Sequence, residues 1–455
     1  MISFLDSKIL DLNSVARGVS IEKLMRNAGE ALAEVVNSAI TPESKVLFVC
    51  GRGNNGGDGY AAALHVTGAD IASTGRPRSE EARFFASMNA ANVIMDAADV
   101  DFSQYDVIVD CVMGTGFGGK PRKGIPELLE RMSSSDALLI SADVPSGFGS
   151  EHALVPDATV AFHDVKEGMD VGNCGTIFVS DIGIPEKAAT YVGPGDMLRY
   201  PIPGSRSRKG NNGRVLVIGG GPYVGAPALS ALGALGVGAD LVTVATPSPS
   251  FIPIASLSPS YMVRDLGGEI FSKSSFTRLP PLNSFDAVLI GPGLGKHPAT
   301  MEAVVEFVKG CPAPVIADAD AIDALAGSGV YPAVVTPHAK EMERLHGAGT
   351  KGADAYAGLG GTTVLLKGPV DHITDGGRRR KNDTGNAAMT VGGTGDVLAG
   401  IVAGLLSKGM GPFDSACLAA YIAGRAGELA FEGSSYGMTA EDVAEAVSWV
   451  LSLEL

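Results

Sequence analysis

Two glycine-rich stretches carry the residues best able to do chemistry. The first is Gly51-Arg52-Gly53-Asn54-Asn55-Gly56-Gly57-Asp58-Gly59. Its two amides and one carboxylate can coordinate a cation or grip a sugar hydroxyl, and its backbone N–H groups can hold an anion. A plain tight turn needs glycine, or one Asn, for φ > 0, but not both asparagines and the aspartate. The second stretch is Gly392-Gly393-Thr394-Gly395-Asp396. Free N–H groups of Gly392, Gly393, Thr394 and Gly395 would form an anion hole for a transferring phosphoryl group. Asp396, in the first helical turn, could take a proton from a substrate hydroxyl as that oxygen attacks phosphorus. An N-terminal capping role would explain Asp396, but not the three glycines beside it.

The elements around these stretches read as alternating strands and helices. In the first half, strands are expected at 46–50, 106–110, 137–142 and 158–162, and a helix at 20–40 with Leu24, Met25, Ala28, Leu32 and Val35 on one face. The pattern predicts a doubly wound parallel sheet, with ligands at the carboxyl ends of the strands. Three strands run into unusual sequence there. One meets the Asn/Gly stretch, whose helix is expected from Tyr60 on. One meets Cys111-Val112-Met113-Gly114-Thr115-Gly116-Phe117-Gly118-Gly119-Lys120, and one meets Asp143-Val144-Pro145-Ser146-Gly147. Their convergence at one sheet edge is the argument for a site.

The second half repeats the alternation, with strands expected at 214–218, 241–245, 287–290, 315–317, 334–336 and 363–366 and a mainly helical stretch from Thr394 to Leu451. It predicts a second three-layer α/β/α domain. Three further strand-end motifs are candidates: Gly291-Pro292-Gly293-Leu294-Gly295 for close backbone approach to a ligand, His338 for ligand contact, and Lys367 with Gly368 for a phosphate. Arg378-Arg379-Arg380-Lys381 reads as a solvated hairpin or loop. The boundary is expected in the Pro/Gly/Ser-rich stretch 200–208, giving domains 1–202 and 203–455.

At 455 residues the chain has room for two or three domains, and its 61 glycines with few aromatics suit an α/β protein with close-packed turns. A net charge of −15 argues against nucleic acid or an anionic membrane as the main partner, though not against a nucleotide held by backbone N–H groups. The five cysteines are scattered without a C-x-x-C pair, which disfavours a zinc site or a disulfide framework. The uncharged run 215–239 is interrupted by Gly219-Gly220-Gly221-Pro222, so it reads as strand, loop and helix rather than a membrane span. A cytoplasmic protein is expected. The acidic charge and apolar helices are compatible with a homo-oligomer.

Together, Gly53–Gly59, Gly114-Thr115-Gly116, Asp143–Gly147, Lys209-Gly210, Gly291–Gly295, Thr336-Pro337-His338, Lys367-Gly368 and Gly392–Asp396 resemble the two-domain NAD(P)HX repair enzymes. In that family an NAD(P)HX epimerase is fused to an ADP-dependent NAD(P)HX dehydratase. The resemblance spans nearly the whole chain and implies a Rossmann-like first domain and a ribokinase-like second domain. It implies that the first domain interconverts the R and S hydrates of NADH and NADPH. The second would phosphorylate the hydroxyl of the S form with ADP, and loss of phosphate would restore the dihydropyridine.

Carried over by motif, Asn54, Asn55, Gly56, Gly57, Asp58 and Gly114, Thr115, Gly116, Phe117, Gly118, Gly119, Lys120 would hold the hydrated dinucleotide. Asn55, Asp110 and Ser146 would bind a potassium ion, and Asp143 would contact the nicotinamide end and is the candidate for proton chemistry. Ala226, Gly293, His338 and Asp396 would contact the hydrate in the second domain. Lys367, Gly368, Pro369, Val370, Asp371 and Gly395 would contact ADP, which would bring Mg²⁺. The Lys367–Asp371 stretch departs from the family, which more often has a small residue and a threonine there. The stretch 148–152 is also atypical. Two other readings compete: a ribokinase-like small-molecule kinase, and a non-catalytic binding module in the first half.

Overall fold

The computed structural model describes residues 1–89, 93–94, 96–116 and 123–455. The chain divides into two compact units, Met1–Ala189 and Thr190–Leu455. This division falls earlier than the stretch whose composition reads as a connector. The reason is local: Val192 donates its N–H to the Lys381 carbonyl at 2.8 Å, and Arg380 reaches Asp196 at 3.0 Å, so the segment 190–200 is tied into the second unit.

In the first unit the strands are β1 (Val46–Cys50), β2 (Asp70–Ser73), β3 (Val93–Ile94), β4 (Val107–Cys111), β5 (Leu138–Ala142), β6 (Ala158–Phe162) and β7 (Thr176–Ser180). They form one parallel sheet in the order β3-β2-β1-β4-β5-β6-β7. The order reverses between β1 and β4, and a crevice opens at the carboxyl ends of strands at such a point. All five residues of β1 are buried. Val46, Phe48 and Cys50 pack into one core layer while Leu47 and Val49 pack into the other, as the two-residue period of a strand covered on both faces requires. The helix Ile21–Ala39 starts from a Ser20 cap and buries Leu24, Met25, Ala28, Leu32 and Val36. Val35, expected on that face, is only half-buried.

The glycines after β1 do a different job from the one a turn would require. A helix runs Asn54–Ala63 with Gly53 as its cap, so Asn54 to Gly59 lie in helical turns rather than in a loop ahead of Tyr60. None of Gly51, Gly53, Gly56, Gly57 and Gly59 has positive φ. Instead the helix is pressed onto its surroundings. A Cβ on Gly56 would collide with the Gly51 carbonyl, and one on Gly59 would sit 2.7 Å from the Cys111 sulfur and 2.9 Å from that of Cys50.

The second unit holds β8 (Arg214–Ile218), β9 (Leu241–Thr246), β10 (Met262–Asp265), β11 (Ala287–Ile290), β12 (Val315–Ala317), β13 (Val334–Val335), β14 (Thr363–Leu366), β15 (Asp371–Thr374) and β16 (Arg379–Asn382). Their order is β10-β9-β8-β11-β12-β13-β14-β15-β16, parallel as far as β14 and antiparallel through β15 and β16. The basic run 378–381 is therefore largely an edge strand of a hairpin, and Arg380 turns inward to Asp196. Helices Thr394–Ser407, Pro412–Ser434 and Ala440–Glu454 supply the helical tail. Among the described residues no helix is long and apolar enough to cross a membrane.

Candidate active sites

The first unit carries a cleft of about 640 Å³ at the carboxyl ends of β1, β4 and β5. Asn54, Asn55, Asp58, Gly114, Thr115, Gly116 and Asp143 line it. Gly56 and Gly57 face the packed side instead. Phe117, Gly118, Gly119 and Lys120 lie outside the described residues.

Asp143 directly follows β5 and has φ = 64°, a left-handed conformation unusual for a residue with a side chain. Its carboxylate pairs with Lys166, a fully buried lysine whose ammonium also donates to the Phe162 carbonyl at 2.8 Å. Burial pushes the Asp58 carboxyl well above the carboxylate range, and the nearby charges of Asp143 and Asp11 push it further. Asp11, from the N-terminal helix Phe4–Ala16, is raised to about 6, by burial first and then by Asp143. Two carboxyl groups with raised pKa, Asp58 and Asp11, thus share the cleft with the Asp143–Lys166 ion pair. That combination suits donation of a proton on one side of a bound group and its removal on another.

A second cluster lies beneath the cleft. Asp110, on β4 and fully buried, accepts from Ser146 Oγ at 2.5 Å, from Ser146 N at 2.8 Å and from Ser141 Oγ at 2.9 Å. Burial raises its pKa and these hydrogen bonds partly offset the rise. Asn55 is buried, and neither atom of its side-chain amide has a hydrogen-bond partner among the described residues. Its Oδ1 lies 3.2 Å from where a Gly114 Cβ would be. Leaving a buried amide unpaired costs about 1–3 kcal/mol. An oxygen-seeking hard cation is a fitting partner for the free Asn55 carbonyl, the Asp110 carboxylate and the rotatable Ser146 hydroxyl.

In the second unit the expected residues divide. Helix Thr394–Ser407 begins from Gly393, which has φ = 102° and offers no side-chain cap. Asp396 lies in its first turn and is not the cap. Its pKa is raised to about 7, by burial first and then by Asp318, with no hydrogen bond to offset the rise. Lys367 lies at the end of β14, 2.9 Å from Asp318, and its ammonium would sit 3.3 Å from a Cβ on Gly395. It is therefore neither free nor solvated. It stands over the helix N-terminus with its charge fixed. Burial opposes that charge, but Asp318 and Glu341 outweigh it and raise the pKa.

His338 caps the helix Ala339–Leu345, its Nδ1 accepting from the N–H groups of Lys340 and Glu341, while its Nε2 lies 3.4 Å from the Glu341 carboxylate on a half-exposed ring. The glycines of 291–295 serve a close approach, but to protein. The Gly293 Cβ position is filled by the Tyr223 carbonyl, and Gly220 N–H donates to the Pro292 carbonyl at 2.9 Å. Ala226 is half-buried in the first turn of the helix Gly225–Gly236. Asp371 is held by Gly368 N–H at 3.0 Å and by Asn382 at 3.0 Å, while Gly368, Pro369 and Val370 are exposed.

Sequence reasoning missed Asp11, Lys166, Asp318, Asp320 and Glu341. Asp318 and Asp320 were within reach, because they follow β12 as the other site residues follow their strands. Ala319 between them has φ = 49°. That kink sends Asp318 to Thr336 Oγ1 at 2.7 Å and Asp320 to Gly295 N–H at 2.8 Å. Asp11 and Lys166 gave no pattern signal, since each is one charge among several in an ordinary helix or loop.

The topology and these two sites define an α/β enzyme in two parts, one built for a dinucleotide crevice and one for phosphoryl chemistry at a helix N-terminus. Residues 215–448 match the NAD(P)H-hydrate dehydratase family, and residues 21–168 match the family described as YjeF-related protein N-terminus. The chain is 37% identical to the bifunctional NAD(P)H-hydrate repair enzyme Nnr of Methanothermobacter thermautotrophicus, over 98% of this chain and 94% of that protein. It is 39% identical to the enzyme of the same name from Archaeoglobus fulgidus, over 98% and 97%. For the Escherichia coli enzyme of that name the identity is 30%, over 96% and 91%. A ribokinase-like superfamily protein from Enterococcus faecalis superposes with a TM-score of 0.53 at 25% identity, covering 58% of this chain and 96% of that one. The chain belongs to the bifunctional NAD(P)H-hydrate repair enzyme family. Its first unit is the epimerase half and its second the dehydratase half.

Proposed function

We propose that the first unit binds NAD(P)HX across the β1/β4 crevice and that the second phosphorylates the S epimer with ADP. In the first unit Asn54, Asn55, Asp58 and Gly114–Gly116 contact the dinucleotide, with Phe117–Lys120 continuing that loop. Asp143 does proton chemistry at the nicotinamide end, its charge positioned by Lys166. Asn55, Asp110 and Ser146 hold potassium. When bound there, the ion supplies a fixed positive charge beside the Gly114 loop. The orphaned Asn55 amide is the observation that supports this assignment.

In the second unit Asp396 is the base that takes the proton of the C6 hydroxyl as it attacks the β-phosphorus of ADP. The N–H groups of Gly392–Gly395 and the ammonium of Lys367 stabilise the charge that develops on the phosphoryl oxygens. AMP leaves, the C6–O bond of the phosphorylated hydrate breaks to release phosphate as C5 gives up a proton, and the C5=C6 double bond of NAD(P)H results. Ala226, Gly293 and His338 Nε2 face the hydrate, and Gly368–Asp371 contact the AMP portion. Mg²⁺ would arrive on the phosphates of the nucleotide.

The placement of Asp396 carries this reading: a carboxylate with pKa raised to about 7, in the first turn of a helix whose cap leaves the N–H groups free. A single-turnover mixture of the S hydrate and isotopically labelled ADP tests it. The expected products are NAD(P)H, AMP and phosphate in equal amounts. A stable phosphorylated product with no NAD(P)H would favour the small-molecule kinase reading.

A further inference from the structure

The epimerase cleft has a second end. In doubly wound dinucleotide folds, the residue at the carboxyl end of the second strand meets the adenosine ribose. A carboxylate there accepts from the 2′-hydroxyl, and an arginine there accommodates a 2′-phosphate. In this chain β2 ends at Ser73 and continues Thr74-Gly75-Arg76-Pro77-Arg78, with no acid. The Ser73 hydroxyl is already committed, accepting from Tyr60 OH at 2.9 Å and donating to the Gly75 carbonyl at 2.9 Å. Thr74, Arg78 and, from the loop after β1, Arg52 line the cleft.

The two arginine-bearing segments are tied together. Arg78 N–H donates to the Arg52 carbonyl at 2.9 Å, Arg52 Nε donates to the Arg76 carbonyl at 3.2 Å, and Thr74 N–H donates to the Cys50 carbonyl at 3.0 Å. Neither Arg52 nor Arg78 is in ion-pair range of a carboxylate among the described residues, although the chain carries a net charge of −15. Two guanidinium groups without counter-ions, that of Arg52 held against the Arg76 carbonyl and that of Arg78 carried on backbone tied to Arg52, in an acidic protein and at the ribose position, fit a phosphate dianion. Asp143, at the nicotinamide end, lies three strands away across β1, β4 and β5 in the sheet order. At about 4.8 Å per strand that is about 14 Å, a separation suited to the two ends of one dinucleotide.

We propose that Arg52 and Arg78, with Thr74, form a subsite for the adenosine 2′-phosphate, so that the epimerase unit favours NADPHX over NADHX. The inference rests on the dinucleotide orientation given above. The test uses the full chain without nucleotide, so that the dehydratase unit is silent. Approach to epimer equilibrium from purified R-NADPHX and R-NADHX is followed by chromatography, with the uncatalysed rate subtracted. The wild type is expected to show about tenfold higher kcat/KM for NADPHX, equivalent to about 1.4 kcal/mol. Arg52→Ala/Arg78→Ala should remove that preference through a higher KM for NADPHX, with kcat/KM for NADHX within twofold of wild type.

ADP-driven dehydration of the S hydrates by the same variant should be unchanged, which reports that the chain is intact. Equal wild-type kcat/KM for the two substrates would overturn the proposal. So would a variant that loses activity equally on both, because the arginines would then serve a group common to both. No epimerisation of either substrate by the wild type would overturn the epimerase assignment beneath it, an outcome distinct from lost discrimination.

Discussion

Asp396→Asn should destroy dehydration and stabilise the second unit. Burial and the Asp318 charge raise the Asp396 pKa to about 7. An unfolded chain ionises the same group near 4, so between pH ~4 and ~7 the folded state binds the extra proton. Stability therefore falls as the pH rises through that window, and the full penalty is present above pH ~7. At about 1.4 kcal/mol per tenfold difference in proton affinity, the shift bounds the penalty at about 4 kcal/mol. Asp396 is only partly buried by surface exposure and the Lys367 charge acts on it, so solvent and the lysine charge reduce the expected value to about 1–2 kcal/mol. Asn keeps the shape and removes the charge. Thermal unfolding at pH 8 should show the second unit melting about 2–6 °C higher in the variant. The gain should shrink as the pH is lowered toward 4. In the same variant, loss of the base should lower kcat for dehydration by about 10²–10⁴-fold. A variant that melts lower at pH 8, or that keeps wild-type turnover, refutes the base assignment.

Three other outcomes are expected. In wild type, kcat/KM for dehydration should fall about tenfold per pH unit below about 7, because Asp396 must be ionised to take a proton. A flat profile down to pH 5 would contradict this. Gly59→Ala should destabilise the first unit by about 1–3 kcal/mol, since the methyl would lie 2.7 Å from the Cys111 sulfur. Calorimetry should show only the first transition lowered, with dehydration of the S epimer retained. Asn55→Ala should raise the potassium concentration needed for half-maximal epimerisation by about tenfold or more. It should do so without lowering the melting temperature, because the Asn55 amide makes no hydrogen bond that the change would break. An unchanged potassium dependence would remove Asn55 from the cation site.

The buried parallel strands were legible because they are unbroken apolar runs. Arg214–Ile218, Ala287–Ile290, Val315–Ala317 and Thr363–Leu366 fall where hydrophobicity alone places them. The edge strands were not. Thr176–Ser180 has only a three-residue apolar run, Ile177–Val179, between polar ends and is exposed or half-exposed throughout, and Arg379–Asn382 has no apolar residue at all. The glycine stretch 51–59 was recognised as a site but misread as a loop. Its glycines answer to close helix packing rather than to positive φ, and composition does not separate the two. Residues at strand ends, such as Asp143 and Lys367, could be found because topology gathers strand ends at one edge. Asp11 and Lys166 reach the same cleft only through tertiary packing, which leaves no periodic trace in the chain.

The central claim is that one chain carries both activities. It is tested most directly by adding ADP, Mg²⁺ and potassium to racemic NADHX and reading the near-ultraviolet absorbance of reduced nicotinamide, with the uncatalysed epimerisation subtracted. The account predicts recovery of the whole of the hydrate, since the R epimer must be converted before it can be dehydrated. Recovery that stops at half would contradict it, leaving the first unit a binding module beside a working dehydratase.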